Sequence, residues 1–353
     1  MKKLAATCFF LLFTLSFSYA QILSGRVCDE DTKKPVADVD IYFDGTSLGT
    51  KTDKNGDFRI PVYTIMNTNF VISHLSYEQV FYPSPFNKVP PVIYLKKKVQ
   101  SLSEVTVFAD QFSRKEKMAI FKEYFLGNGK AAKLCTILNE EDINLFYNNS
   151  SKTLKATAKK PLLVRNDYLG YEITFDMKEF YIEYFTDNTL DKGLIKESYF
   201  GGISVYKDLF PEKNKKIEKR RKETYEDSPN RFFKSLTHNT LKESKYRIFK
   251  KRFETVPENC FIIKDTLSMK MLQLIPDNTT DSSSFLRKKS SDEYENRISV
   301  LDKKKRQSDI VFRIEKVFID DFGNIHAPDK VMYSGIWAQY RLGQMLPIDY
   351  IPD

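Results

Sequence analysis

The chain reads as an all-β sandwich of about seven strands followed by a larger α+β domain. Three observations lead there. Short runs of alternating apolar and polar residues succeed one another between residues 22 and 95, with turn residues between them and no stretch of helical period. Beyond residue 110 a helix signal opens, and long alternating runs follow it. The 353 residues also exceed one ordinary domain of roughly 150 residues.

Residues 1–20 stand apart. Lys2 and Lys3 precede an apolar run over residues 4–17, and Ser18-Tyr19-Ala20 ends it with small residues one and three positions before Gln21. This is the pattern of a secretory signal peptide, too short for a retained membrane helix. Cys8 lies inside the apolar run rather than after it, so no lipidation site is read there. Removing these residues takes two of the 56 basic residues and none of the 47 acidic ones, so the net charge falls from +9 to +7. Cys28, Cys135 and Cys260 remain. An odd number at wide spacing argues against a disulfide framework and a paired-cysteine zinc site. They read as buried small hydrophobes, with or without one bridge, and the sequence does not choose the pair.

The sandwich is expected over residues 21–96. Residues 22–28 give the first strand, residues 29–34 with Pro35 a polar turn, and Ala37, Val39, Ile41 and Phe43 the next alternating run. Residues 47–52 and 57–62 then read as a hairpin across Asp53-Lys54-Asn55-Gly56, because Asn and Gly tolerate positive φ. In its second arm Phe58, Ile60 and Val62 alternate with Asp57, Arg59 and Pro61. Residues 70–75, 79–82 and 91–95 complete the set, and so many short strands without helices predict an antiparallel sandwich.

Gly25-Arg26-Val27, then Pro35-Val36-Ala37-Asp38-Val39, then the stretch from Gly45 through Asp57-Phe58 together resemble the carboxypeptidase-regulatory-like domain. That resemblance covers about a fifth of the chain and implies a transthyretin-like sandwich without catalytic residues of its own. Such domains stand beside the catalytic domain of some metallocarboxypeptidases and at the periplasmic N-terminus of many TonB-dependent outer-membrane transporters. Residues 97–110, a linker strand containing Leu102-Ser103-Glu104-Val105, are similar to the segment that follows the domain in those transporters. A plug and large barrel would need several hundred further residues, and only about 240 remain.

Two motifs inside the sandwich mimic functional sites. Gly45-Thr46-Ser47-Leu48-Gly49 fits the nucleophile elbow of hydrolases, but an elbow needs a helix after it, and strand signals follow here. Asp53, Asn55 and Asp57 suggest calcium, yet no Glu closes the set at the required spacing, so turn chemistry accounts for them.

Residues 111–353 are expected to form the α+β domain. Ser113 and Glu116 make a capping box, and Met118, Phe121, Phe125 and Leu126 form one apolar stripe that Gly127 stops. Leu154, Ala156 and Ala158 alternate next. Tyr171, Ile173, Phe175 and Met177 alternate until the phase flips at Lys178-Glu179, and Phe180, Ile182 and Tyr184 resume it, which predicts a bulge or tight turn. Gly201-Gly202 suggests a further bend. Lys213, Lys215, Lys216, Lys219, Arg220, Arg221 and Lys222 form a basic tract, read as a solvated helix face in preference to a polyanion site. Ser228-Pro229 caps the next helix, with Phe232, Phe233 and Leu236 inward. Residues 277–309, rich in Ser, Asp, Lys and Arg, read as a mobile basic insertion. Residues 310–319 read as one strand, and the turn after it contains Asp321-Phe322-Gly323, a kinase-like triplet without the rest of a kinase. Trp337, Tyr340 and Leu346-Pro347 close the chain on a packed aromatic segment.

His74, His238 and His326 are far apart, and no H-E-x-x-H, phosphate loop or dinucleotide fingerprint occurs. No catalytic, cofactor-binding or metal-binding residue is therefore assigned, and no cofactor is expected. The reading is a non-catalytic exported cell-envelope protein, a binding or assembly module accessory to outer-membrane transport. It would sit in the periplasm or on the periplasmic face of the outer membrane, with peripheral membrane association allowed. Its expected partner is an envelope protein or glycan, a TonB-dependent transporter among the candidates, and not nucleic acid. Two alternatives stay open: an exported hydrolase with its site in the C-terminal domain, and a small outer-membrane β-barrel.

Overall fold

A computed structural model describes residues 21–62, 68–83, 89–98, 111–210, 212, 214–266, 268–275 and 296–352. The signal peptide expected at 1–20, most of the linker strand at 97–110 and residues 277–295 of the expected insertion lie outside the described residues. The chain divides into two compact units, the first running to Ser101 and the second from Leu102, with Gly45–Ser47 grouped with the second.

The first unit holds β1 (Gln21–Asp29), β2 (Asp40–Phe43), β3 (Gly49–Lys51), β4 (Asp57–Val62), β5 (Phe70–His74), β6 (Tyr77–Tyr82) and β7 (Val92–Leu95). They form two sheets, β4-β1-β7 and β3-β2-β5-β6. The sandwich is present with its seven strands, and its core takes Ile41 and Phe43 from one sheet and Val27, Phe58, Ile60 and Ile93 from the other. Two details differ from the sequence reading. β3 pairs with β2 while β4 pairs with β1, so residues 53–56 form a corner between sheets rather than a hairpin turn. β1 and β7 run parallel, whereas the other pairs are antiparallel. The corner has a local cause. Asp53 Oδ1 accepts the backbone N–H groups of Asn55 (2.8 Å) and Asp57 (2.9 Å), and Gly56 stands at φ 73°. Gly56 O then accepts Val27 N at 2.8 Å, and a Cβ at Gly56 would lie 2.4 Å from Val27 O. Glycine is needed there for close approach as well as for φ.

The second unit opens with α1 (Arg114–Leu126), whose capping box is formed as expected: Glu116 accepts Ser113 N at 2.8 Å, and the Ser113 hydroxyl accepts Glu116 N. β8 (Cys135–Ile137), β9 (Ile143–Asn148), β10 (Thr153–Ala158), β11 (Leu162–Asn166), β12 (Tyr171–Tyr184) and β13 (Ile195–Asp208) follow. They make a six-stranded sheet with β12 along its middle and β13 as β12's partner on the outer side. Register shifts between Met177 and Glu179, so the bulge falls where the alternation changes phase. Gly201 and Gly202 lie opposite that bulge on a continuous β13, so the expected bend is a bulge on the neighbouring strand. A Cβ at Gly202 would lie 2.5 Å from Asp176 O. α1 packs on this sheet through Phe121, 4.7 Å from the Phe180 ring, and Phe125, 5.2 Å from Phe175. Fully burying such a side chain contributes about 2–3 kcal/mol.

α2 (Lys215–Glu226) and α3 (Pro229–Thr237) lead to β14 (Arg247–Lys250), β15 (Phe253–Thr255), β16 (Phe261–Asp265), β17 (Lys270–Leu274), β18 (Arg297–Leu301), β19 (Gln307–Phe312), β20 (Lys316–Ile319), β21 (Ile325–His326) and β22 (Val331–Gly335). The sheets are β15-β14-β18-β19-β22 and β16-β17-β20-β21. α3 supplies Phe232, Phe233 and Leu236 to a second core that also holds Ile310, Phe312 and Trp337. The basic stretch 303–306, expected in a mobile insertion, is the turn of the β18–β19 hairpin. Acids at the α2–α3 junction fix it: Lys303 pairs with Glu226 at 2.9 Å, Lys304 with Asp227 at 2.7 Å, and Arg306 with Asp227 at 2.9 Å. The run 310–319 is two strands in different sheets, β19 and β20, because the chain changes sheet after Phe312. Among the described residues no sheet closes on itself.

Candidate binding cleft

Both cores of the second unit contribute to one cavity of about 870 Å³. That volume falls in the range of sites for small molecules and short chain segments, roughly 300–1,000 Å³. One wall comes from β13 and the adjoining part of α1, including Ser198, Tyr199, Phe200 and Tyr124. The facing contribution is β22, with Met332 and Tyr333, and the C-terminal tail adds Trp337 and Arg341. β13 and β22 are each the last strand of their sheet among the described residues.

The tail is locked in place from two sides. Trp337 is buried, its indole donating to Asp227 O at 3.2 Å and its backbone N–H to Ser308 Oγ at 3.2 Å. Leu342 enters the core beside α1, and Gly343 comes so close that a Cβ would sit 2.5 Å from Leu126 O. Asn166, fully buried, donates to Gly343 O at 3.0 Å while its Oδ1 accepts Tyr168 and Leu169 N–H in the β11–β12 turn. Arg341 is thus held between Trp337 on one side of it in sequence and Leu342 and Gly343 on the other. Its guanidinium donates to Ser198 Oγ at 2.7 Å and stands 5.7 Å from the Tyr124 ring and 5.8 Å from the Phe200 ring. Burial lowers its pKa, with Tyr124 opposing the effect.

The acids on the cleft wall are already engaged. Glu197 accepts from Arg313 at 2.8 Å and from the Tyr181 hydroxyl at 2.8 Å. Burial would raise the pKa of its carboxyl, but those two hydrogen bonds together with the charges of Arg313 and Lys196 outweigh it and hold the group below its usual range. The Tyr181 phenol is pushed up to about 12 by burial and by Glu197. Glu123 pairs with Lys192, and Asp329 with Lys330 at 2.6 Å.

The motifs that mimic sites resolve into turns and packing. Gly45 to Gly49 runs from strand β2 to strand β3, without the helix an elbow needs. Asp53 is occupied in its own turn, and Asp57 holds Arg26 at 2.7 and 2.9 Å. Among the described residues no cluster of three or more His, Cys, Asp or Glu is placed to hold a metal. In the kinase-like triplet, Phe322 N–H donates to Asp320, and Gly323 packs with a would-be Cβ 2.0 Å from Asn230 O. His74 accepts Ser76 N at 3.1 Å, His238 caps α3, and His326 lies in β21. Of the cysteines among the described residues, Cys28 and Cys135 are free thiols, and Cys28 and Cys260 are buried. The basic tract is partly structural: Arg220 and Arg221 donate to carbonyls of residues 167–170, and Arg221 holds both oxygens of Asp208 at 2.8 and 3.0 Å.

Sequence reasoning placed Trp337 in a packed segment but assigned nothing to Arg341. The only hint was an arginine within an otherwise aromatic and apolar tail, Trp337-Ala338-Gln339-Tyr340-Arg341-Leu342. Residues 23–107 match the family described as CarboxypepD_reg-like domain. No curated protein matches the chain. The match covers the sandwich and stops short of the cleft.

Proposed function

We propose that this chain is an exported cell-envelope binding protein, working without covalent catalysis, in which the sandwich is the docking module and the second unit holds a ligand in its cleft. The observation that carries the reading is an 870 Å³ cavity with aromatic walls whose carboxylates are tied in ion pairs. Aromatic surface with a few placed polar groups is what a binding site requires, and hydrolysis would require an acid poised to donate a proton. The leader-like residues 1–20 support export, and the sandwich's likeness to modules that precede outer-membrane transporters supports a role beside one. The site of action on this reading is the periplasm or the periplasmic face of the outer membrane.

The test is photocrosslinking in the native envelope with a photoreactive phenylalanine analogue at Tyr199, on the cleft wall, and in a separate strain at Lys155, exposed on β10. A discrete adduct with an envelope component from position 199, absent from position 155, is the expected result. Equal labelling from both positions, or turnover of peptide or oligosaccharide substrates by the purified protein, overturns the reading.

A further inference from the structure

We infer that the cleft receives the free carboxyl end of an extended peptide segment, with Arg341 and Ser198 gripping the terminal carboxylate and β13 and β22 flanking the chain. This rests on the binding reading above and names its ligand class. Arg341 is the first reason. A guanidinium has five N–H donors, and among the described residues the side-chain acceptor it meets is Ser198 Oγ. No acid of the described residues forms an ion pair with it, whereas Arg313 on the same cleft is matched by Glu197. A desolvated, unmatched positive charge is costly to keep, and it marks where a negative group of the ligand belongs. The planar fork of arginine suits the two oxygens of a carboxylate, and the Ser198 hydroxyl, accepting from Arg341, has its own proton to give.

The second reason is the pair of strand edges. β22 ends its sheet, and β13 does so over residues 195–203, Thr46 bridging it farther on at Val205; both strands line the cavity. Sheet edges present backbone donors and acceptors that an extended peptide can pair with, the mode known as strand addition. At about 3.3 Å per residue, the five residues of β22 would accompany a segment of four or five residues. Rings at Tyr199, Phe200 and Tyr333 supply apolar surface for its alternate side chains. The fixed tail, with Gly343 against Leu126 and held by Asn166, keeps Arg341 positioned before a ligand arrives.

The experiment passes a random N-acetylated hexapeptide mixture over immobilised residues 21–353, once with free carboxyl ends and once amidated, beside a mixture of oligogalacturonates. Retained peptides are identified and resynthesised for titration. The expected result is retention from the free-acid mixture only, with amidation weakening the best peptide at least about tenfold, as loss of a charge-assisted pair should. Arg341→Gln should weaken it as much, and Arg341→Lys should restore part of the affinity. Equal retention of the amidated mixture, retention of oligogalacturonates in place of peptides, or unchanged binding by a folded Arg341→Gln protein overturns the inference. The amidation comparison uses the unaltered protein and decides the matter even if the variants fold poorly. A crosslinked envelope partner at Tyr199 without any free-acid peptide bound would sink this inference and leave the binding reading standing.

Discussion

Asp29, at the end of β1, is 4% exposed and accepts four hydrogen bonds, from Asp31 N–H, Thr32 N–H, Thr32 Oγ1 and the Tyr77 hydroxyl. Lys97 stands 3.4 Å away. The Thr32 backbone bond is the largest cause of a carboxyl pKa held well below the usual range, against the opposing pull of burial. Because the folded state binds this proton less readily than the unfolded chain, the stabilisation is fully present above the ordinary Asp range near 4. It is lost progressively as pH falls below that range. Urea unfolding of the sandwich should show a midpoint that drops between about pH 5 and pH 2, and Asp29→Asn should flatten that drop. An unchanged slope in the variant would refute the assignment. The sequence showed Asp29 as one polar letter in a turn. Its partner Tyr77 lies 48 residues away, beyond the reach of any local pattern.

At the scale of the element, α2 divides its cations by position. Arg221 is 11% exposed in its side chain and clamps the helix to Asp208 and to the β11–β12 turn. Its ring contact with Tyr171, 3.9 Å to the centroid, adds packing that a lysine would not reproduce. Lys219, 78% exposed, has only a 4.0 Å contact with Glu223. Arg221→Ala should therefore cost about 2 kcal/mol or more, because it strands Asp208 and the turn carbonyls of Leu169 and Gly170. Lys219→Ala should stay within about 0.5 kcal/mol. Equal losses in urea denaturation would contradict this division. The helix itself was legible from its cap and charge pattern. Which of its cations face protein depends on the hairpin it lies across, about fifty residues earlier in the chain.

For the whole molecule the testable property is covalent. Cys28 and Cys260 are buried, and burial with nearby Asp167 pushes the Cys135 thiol up to about 12. On the export proposed above the chain would meet a compartment where disulfides form; burial shelters Cys28 and Cys260 there, and burial with a raised pKa shelters Cys135. Thiol titration of protein recovered from the envelope should give three equivalents in denaturant and a slow, smaller reaction in the native state. Intact mass should place the first residue at Gln21. A disulfide between any two of the three, or a retained leader, would contradict the expectation. No helix among the described residues is long and apolar enough to cross a membrane.

The sequence alone determined the seven-strand sandwich, the capped α1, the bulge in β12 and the turn nature of every site-like motif. Each depends on residues within a few positions of one another, through alternation, side-chain caps and glycine conformation. Tertiary structure decided the rest. Residues 53–56 turn a corner between sheets because β4 pairs with β1, a ladder that Gly56 extends to Val27, while β3 pairs with β2. The basic stretch 303–306 is ordered because Glu226 and Asp227 meet it from about 77 residues away. The cleft exists because two separately packed cores leave two sheet edges beside it, with Arg341 delivered next to Ser198 across 143 residues. Periodicity reports which face of a strand is buried; it carries no information about which distant charge will lie beside that strand without a partner.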